Sequence, residues 1–306
     1  MRKVRSGVFG LNALMDGGIN EHTTTVVIGS PGAGKTTFAT QFLRRGLLDN
    51  DDAVFITLDE SPKEIIKNSR LMGWEDIDTY IKEGSLVFVD AGGKQFSHFI
   101  QKELAEFVDE WEGHNARIAI DPLTPVLWSV KEKYEQRELV SYFLRETRKI
   151  GTVLCTLEEH GIVGDLSAPD LVIPMYLADN VIHLRYTSHE SPEGREMKII
   201  KCRSSKHSRF WHPYSIMKGV GVYVKKVEDR MRRRVPPSKT GKILKDKIKA
   251  LGDERLMKLP ATAMENIMKT IEAVGEQDLL DVEPMELLDL ILEEYELEEK
   301  EHAETR

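Results

Sequence analysis

Gly29-Ser30-Pro31-Gly32-Ala33-Gly34-Lys35-Thr36 is a complete G-x-x-x-x-G-K-[ST] phosphate-binding pattern, and its flanks decide what fold carries it. Thr24 to Ile28 read as a buried strand, and Phe38, Ala39, Phe42 and Leu43 recur at helical spacing beyond the loop. Strand, loop and helix therefore follow in the order the chemistry needs. Glycine at 32 and 34 lets backbone N–H groups turn toward an anion, and the helix opening at Lys35 adds its positive dipole end. Lys35 is expected to offset charge on the outer phosphates and the Thr36 hydroxyl to hold Mg²⁺, with Gly32 to Thr37 forming the cradle.

The rest of the first 225 residues alternates in the same way. Ala53 to Leu58 form a second strand that delivers Asp59 and Glu60, and Ser61-Pro62-Lys63-Glu64 is a capping box opening a helix through about Leu71. The acid pair also reads simply as a helix entry favoured by the macrodipole. Ser85 to Asp90 is a third strand, and Phe99, Ile100, Leu104 and Phe107 mark the helix after it. Ala116 to Asp121 is an apolar strand ending in a carboxylate, about 85 positions beyond the loop, where a second Mg²⁺ contact is expected. Strands often end in Asp for turn reasons alone, so the loop is what gives Asp121 its meaning.

A helix marked by Leu139, Phe143 and Leu144 precedes the strand Gly151 to Thr156, which Glu158, Glu159 and His160 close. Asn180 to Arg185 and Arg195 to Cys202 read as a strand pair around Ser188 to Gly194. The expected fold is α/β: a mainly parallel twisted sheet with helices on both faces, antiparallel at one edge, plus a small helical tail. In such sheets ligands bind at the carboxyl ends of strands, which gathers Asp59, Glu60 and Asp121 near the loop.

Composition bounds the alternatives. The chain has 306 residues, 41% hydrophobic and 31% charged, enough for one large core and a small appendage. A net charge of −8 argues against wholesale polyanion binding. Two cysteines cannot form a disulfide framework, and no apolar core of a signal peptide follows Arg2, Lys3 and Arg5, so a reducing cytoplasm is the expected location. No apolar run is long enough to span a membrane. Cys155 and Trp74 read as packing residues, and Cys202, His207 and His212 fit no zinc spacing.

Four segments together resemble the KaiC-like branch of the RecA superfamily of ATPases. They are Ser6 to Gly18, the phosphate loop, Thr57-Leu58-Asp59-Glu60-Ser61-Pro62 with Asn68 and Gly73-Trp74 behind it, and Lys201-Cys202-Arg203-Ser204-Ser205-Lys206-His207. The resemblance implies a RecA-type core, ATP and Mg²⁺ as cofactors, and a homo-oligomeric ring, usually a hexamer. Each site would then be shared between neighbours, with Lys201, Arg203 and His207 reaching the next subunit's nucleotide. It also implies that Glu60, with Asp59, orients and activates the attacking water, and that a basic residue stands near the pair. Without the resemblance, the same basic segment reads as a solvated strand edge that discourages aggregation. This chain departs from the family's pattern with Asp59 for glutamate, Ser204 for glycine and Pro122 for serine. Only one core is present, and neither clock function nor autophosphorylation carries over.

Beyond Lys225 the charge segregates. Residues 225–249 hold eleven Lys or Arg against three Asp or Glu, a net of +8, while residues 250–306 hold five against seventeen, a net of −12. The expected organisation is an ATPase domain over 1–225, a basic linker over 226–255 and an acidic helical extension over 256–306. The linker, with Arg230 to Arg234, reads as a solvated strap or as a phosphate-contacting segment that lacks stacking aromatics. Met264, Ile267, Met268 and Ile271 form one helical stripe, and Leu288, Ile291, Leu292 and Tyr295 another; they pack as a hairpin on each other or on the core, or dock a protein partner. Three functions remain in view at this stage: a regulatory ATPase ring, a recombinase-like DNA-dependent ATPase, and an ATP-holding scaffold with little turnover.

Overall fold

The computed structural model describes residues 2–160, 164–186, 194–225, 261–275 and 287–292. The Ser188 to Gly194 hairpin, the basic linker, Tyr295 and the final acidic stretch lie outside them, apart from Gly194.

A short antiparallel pair, β1 (Lys3–Val4) with β2 (Ile19–Asn20), brackets α1 (Leu11–Leu14). The main sheet contains β3 (Thr24–Gly29), β4 (Ala53–Thr57), β5 (Leu86–Asp90), β6 (Ala116–Asp121), β7 (Gly151–Glu158), β8 (Asn180–Tyr186), β9 (Arg195–Cys202), β10 (His212–Met217) and β11 (Gly221–Val224). Its order is β11-β10-β9-β8-β3-β7-β6-β4-β5. From β8 to β5 neighbours run parallel, and from β8 to β11 antiparallel. This is the expected mixed sheet, with two more antiparallel strands, β10 and β11, than the sequence suggests.

Helices cover both faces, as a parallel sheet requires. They are α2 (Lys35–Leu48), α3 (Pro62–Leu71), α4 (Ile77–Glu83), α5 (Lys94–His98), α6 (Leu104–Trp111), α7 (Thr124–Trp128), α8 (Lys133–Ile150) and α9 (Pro169–Leu177), with a π-helical turn at Phe99–Glu103 joining α5 to α6. Alternate residues of each strand feed two separate cores. Val27, Phe55, Ala119 and Leu154 meet Phe38 and Phe42 of α2, whereas Val26, Ile28, Ile118 and Cys155 meet Val140 and Phe143 of α8. Cys155 and Trp74 are buried, as packing residues should be.

Two polar fasteners lock α2 in place. Gln41 Nε2 lies 2.6 Å from the Gly7 carbonyl and 3.1 Å from those of Val220 and Val222, while its Oε1 accepts from Val222 N–H at 2.7 Å. The segment from Ser6 to Gly18 is thereby hooked to the helix and to the sheet edge. On the other side, Arg117 is buried from β6, donating to Asp51 at 2.9 Å, Asp49 at 2.9 Å and the Arg5 carbonyl at 2.6 Å. Gly46 makes room for it, since a Cβ there would stand 2.4 Å from Arg117 Cδ. Arg117→Ala should cost about 3 kcal/mol in denaturant unfolding, the low end for a broken buried pair because Asp49 and Asp51 still reach water.

The tail closes the far edge. Ile267 and Ile271 of α10 (Ala261–Gly275) and Leu287, Leu288, Leu290 and Ile291 form one buried cluster with Phe9, Val220 and Tyr223. The described residues of both predicted stripes therefore pack on the core.

Candidate functional site

The phosphate loop leaves β3 between its two parallel neighbours, β7 and β8, and turns directly into α2. Gly34 is the N-cap of α2, with φ of 92°, and no side chain caps the helix. The backbone angle at Gly34 is what requires glycine, and a Cβ there would also lie 2.4 Å from Ile216 Cδ1, which would have to move. The first-turn N–H groups of α2 lack intrahelical acceptors and face the hollow of the loop with the positive dipole end. Two tyrosines hold the loop from outside: Tyr186 donates to the Gly32 carbonyl and Tyr214 to that of Ala33, both at 2.7 Å. Neither tyrosine is signalled by the sequence motif.

Lys35 donates to the Gly29 carbonyl at 2.9 Å and to that of Ser30 at 3.1 Å. Burial lowers its pKa, opposed by the carboxylates of Asp121, Glu158 and Glu159. Asp121, at the end of β6, is buried and accepts a hydrogen bond from the Thr156 hydroxyl, with the Thr36 hydroxyl close enough to favour its charged form. Burial raises its pKa, while those hydroxyls and Lys35 act in the opposite direction. Thr36 and Asp121, the two residues assigned to the metal, are thus brought together. Pro122 follows through a cis peptide bond, and the Thr156 hydroxyl donates to Asp121.

These donors fit Mg²⁺, being a hydroxyl and a carboxylate with no sulfur or imidazole. Among the described residues no group of three or more His, Cys, Asp or Glu side chains is placed to bind a metal unaided.

Asp59 and Glu60 leave the end of β4, where Thr57 pairs with Asp121 and Leu58 N–H donates to the Asp121 carbonyl at 3.0 Å. Both side chains are exposed beside the site. Thr57 donates to the Glu60 carbonyl, which pins the turn. Partial burial raises the Glu60 pKa, and Asp121, Asp59 and Glu64 raise it further. Among the described residues the charges acting most on Glu60 are carboxylates. The Ser61 side chain accepts from Glu64 N–H, so Ser61 is the N-cap of α3 as its capping-box position predicts.

Glu158 and Glu159 are the acids that sequence reasoning left without a role. Strand order places them there, since Gly29 pairs with Glu158 and accepts from Glu159 N–H at 3.1 Å.

Lys201, Arg203 and His207 lie elsewhere. Cys202 pairs with Asn180, which lies beside Thr25 at the start of β3, so this segment stands at the opposite end of the sheet from the loop. Lys201 donates to the carbonyls of Met175, Tyr176 and Ala178, and Arg203 to that of Tyr176 at 3.1 Å. His207 Nδ1 is 2.9 Å from the Ser208 carbonyl. Ser204 has φ of 58°, the left-handed conformation that a glycine would adopt, so the backbone path survives the substitution.

A mainly parallel sheet with an uncapped phosphate loop beside a paired Thr36 and Asp121 defines a RecA-type phosphate-loop domain. The family model described as "ATPase: KaiC" matches residues 4–229, and the chain belongs to the KaiC ATPase family. It is 28% identical over 233 residues to the circadian clock protein KaiC3 of Synechocystis, covering 73% of this chain and 46% of that protein. It is 29% identical over 237 residues to the circadian clock oscillator protein KaiC of Synechococcus elongatus, covering 72% and 44%. The chain thus spans about half the length of these curated relatives. The crystal structure of the KaiC-like protein PH0186 from Pyrococcus horikoshii aligns with a TM-score of 0.61 at 28% identity, over 74% of this chain and 99% of that one. Among the described residues no helix is long and apolar enough to cross a membrane.

Proposed function

We propose that this chain binds ATP with Mg²⁺ and hydrolyses it to ADP and phosphate, in a cytoplasmic homo-oligomeric ring, as a regulatory ATPase. The observation that carries the reading is the uncapped start of α2 with Lys35, set against the Thr36 and Asp121 pair. Gly32, Ala33, Gly34, Lys35, Thr36 and Thr37 receive the phosphates through backbone amides and one ammonium group. Thr36 and Asp121 hold Mg²⁺, which supplies positive charge to the phosphate oxygens when bound. Glu60 takes the proton of the attacking water, and Asp59 keeps the neighbourhood negative so that Glu60 is a stronger base.

The ring reading is supported by the placement of Lys201, Arg203 and His207 at the sheet end away from their own loop, so that any phosphate they meet would be a neighbour's. A charge supplied in trans stabilises the transferred phosphoryl group and couples turnover to assembly. Phosphate release with Mg²⁺ and with chelator, together with sizing with and without ATP, tests both parts. Hydrolysis should vanish without Mg²⁺, and assembly should grow with ATP. Mixing Lys35→Ala subunits with subunits carrying Lys201→Ala and Arg203→Ala should restore activity that neither has alone. A fully active monomer would remove the trans role.

A further inference from the structure

Glu159 and His183 form a buried pair that the ATPase reading does not use. Their side chains are 1% and 2% exposed, and His183 Nε2 lies 3.2 Å from Glu159 Oε1. The same oxygen accepts from Gly164 N–H at 2.6 Å. Among the described residues Oε2 is buried with no hydrogen-bond partner. Such a carboxylate is costly to keep, so a purely packing role favours a neutral residue at 159.

The pair's position is informative. Glu159 follows the end of β7, His183 sits on β8, and β3 runs between them with Ile28 paired to His183 and Gly29 to Glu158. The pair therefore bridges the strand at the point where it becomes the phosphate loop. Beneath the bridge, one carbonyl does two jobs: Gly29 accepts both from Glu159 N–H at 3.1 Å and from Lys35 Nζ at 2.9 Å. The imidazole is itself walled in. Trp211 packs against it edge-on at 5.4 Å, and Arg185 lies 3.6 Å over the same indole.

We propose that Glu159 and His183 are positioning residues: a clamp across β3 that fixes Gly29 and Ser30, and through them the backbone that receives the phosphates. The inference rests on the ATPase reading for its kinetic consequence but not for its structural one. His183 holds the Glu159 carboxylate, the carboxylate orients the backbone after β7, and the Glu159 N–H holds the loop entrance. A loop entrance free to shift loses alignment of the amide cradle, which lowers turnover more than it lowers folding stability.

The test compares His183→Leu, which removes the donor and roughly keeps the volume, with His183→Gln, whose amide restores an N–H at similar reach. All are assayed at a temperature where circular dichroism shows them folded. Amide hydrogen exchange on nucleotide-free protein should be about fivefold faster in His183→Leu for peptides covering 24–34 and 156–160, and unchanged for 53–58. Its kcat should fall about tenfold, and His183→Gln should recover to within about threefold of the wild type. Exchange that is unchanged or raised evenly across the sheet overturns the clamp. So does turnover within about twofold of the wild type for His183→Leu, or no recovery by His183→Gln. Should the wild type turn over no ATP, the ATPase reading fails separately, and the exchange comparison alone decides the clamp.

Discussion

Glu60→Gln should bind ATP as the parent does and hydrolyse it about 10²- to 10⁴-fold more slowly, the range for loss of a general base. The split follows from where the residue sits. Glu60 lies at the end of β4 beside Asp121, outside the Gly32 to Thr37 backbone cradle, so removing its charge spares the groups that grip phosphate. Its pKa, raised first by burial and then by Asp121, Asp59 and Glu64, sets the pH dependence. A base acts ionised, so turnover should fall as pH drops through that raised value, giving an acid limb above the ordinary glutamate range. Asp59→Asn removes one of the carboxylates raising it and should move the limb to lower pH. Single-turnover phosphate release across a pH series, beside an equilibrium ATP titration, reads both effects.

Lys35→Ala should weaken ATP binding by about 10²-fold and leave little turnover, because the ammonium contributes a charge-assisted hydrogen bond to the phosphates and offsets charge as the transferred group leaves. The variant should stay folded. Among the described residues Lys35 bonds to the carbonyls of Gly29 and Ser30 at the loop entrance, and its partial burial already disfavours the charged form. Removing it relieves that cost, while the three nearby carboxylates lose their shared counter-ion. Thermal unfolding without nucleotide should therefore shift little, and the stabilisation that ATP gives the wild type should be lost.

Much of this was legible in the chain because local signals and tertiary placement agree. The strands from Thr24 to Glu158 announce themselves as apolar runs, and those ending in Asp or Asp-Glu deliver carboxylates to one edge by the geometry of a parallel sheet. The last two strands do not announce themselves. His212–Met217 carries Pro213 and an uneven pattern, and Gly221–Val224 is only four residues, so their pairing depends on each other and on Gln41. In the site, Lys35, Thr36 and Asp121 are visible because a motif requires them. Glu159 and His183 are not, because what joins them is the order of β7, β3 and β8, which no spacing in the sequence encodes. Tyr186 and Tyr214 were missed for the same reason. The basic segment was legible as a motif, but only the sheet register shows that it faces away from its own loop.

The central claim is that backbone amides and one ammonium group grip the polyphosphate end of a nucleotide. Equilibrium titration of the wild-type protein with AMP, ADP and ATP in the presence of Mg²⁺ tests it most directly. If the loop carries the binding, ADP and ATP should each bind at least about 10²-fold tighter than AMP, the worth of one or two charge-assisted hydrogen bonds. Equal affinity for all three would contradict it.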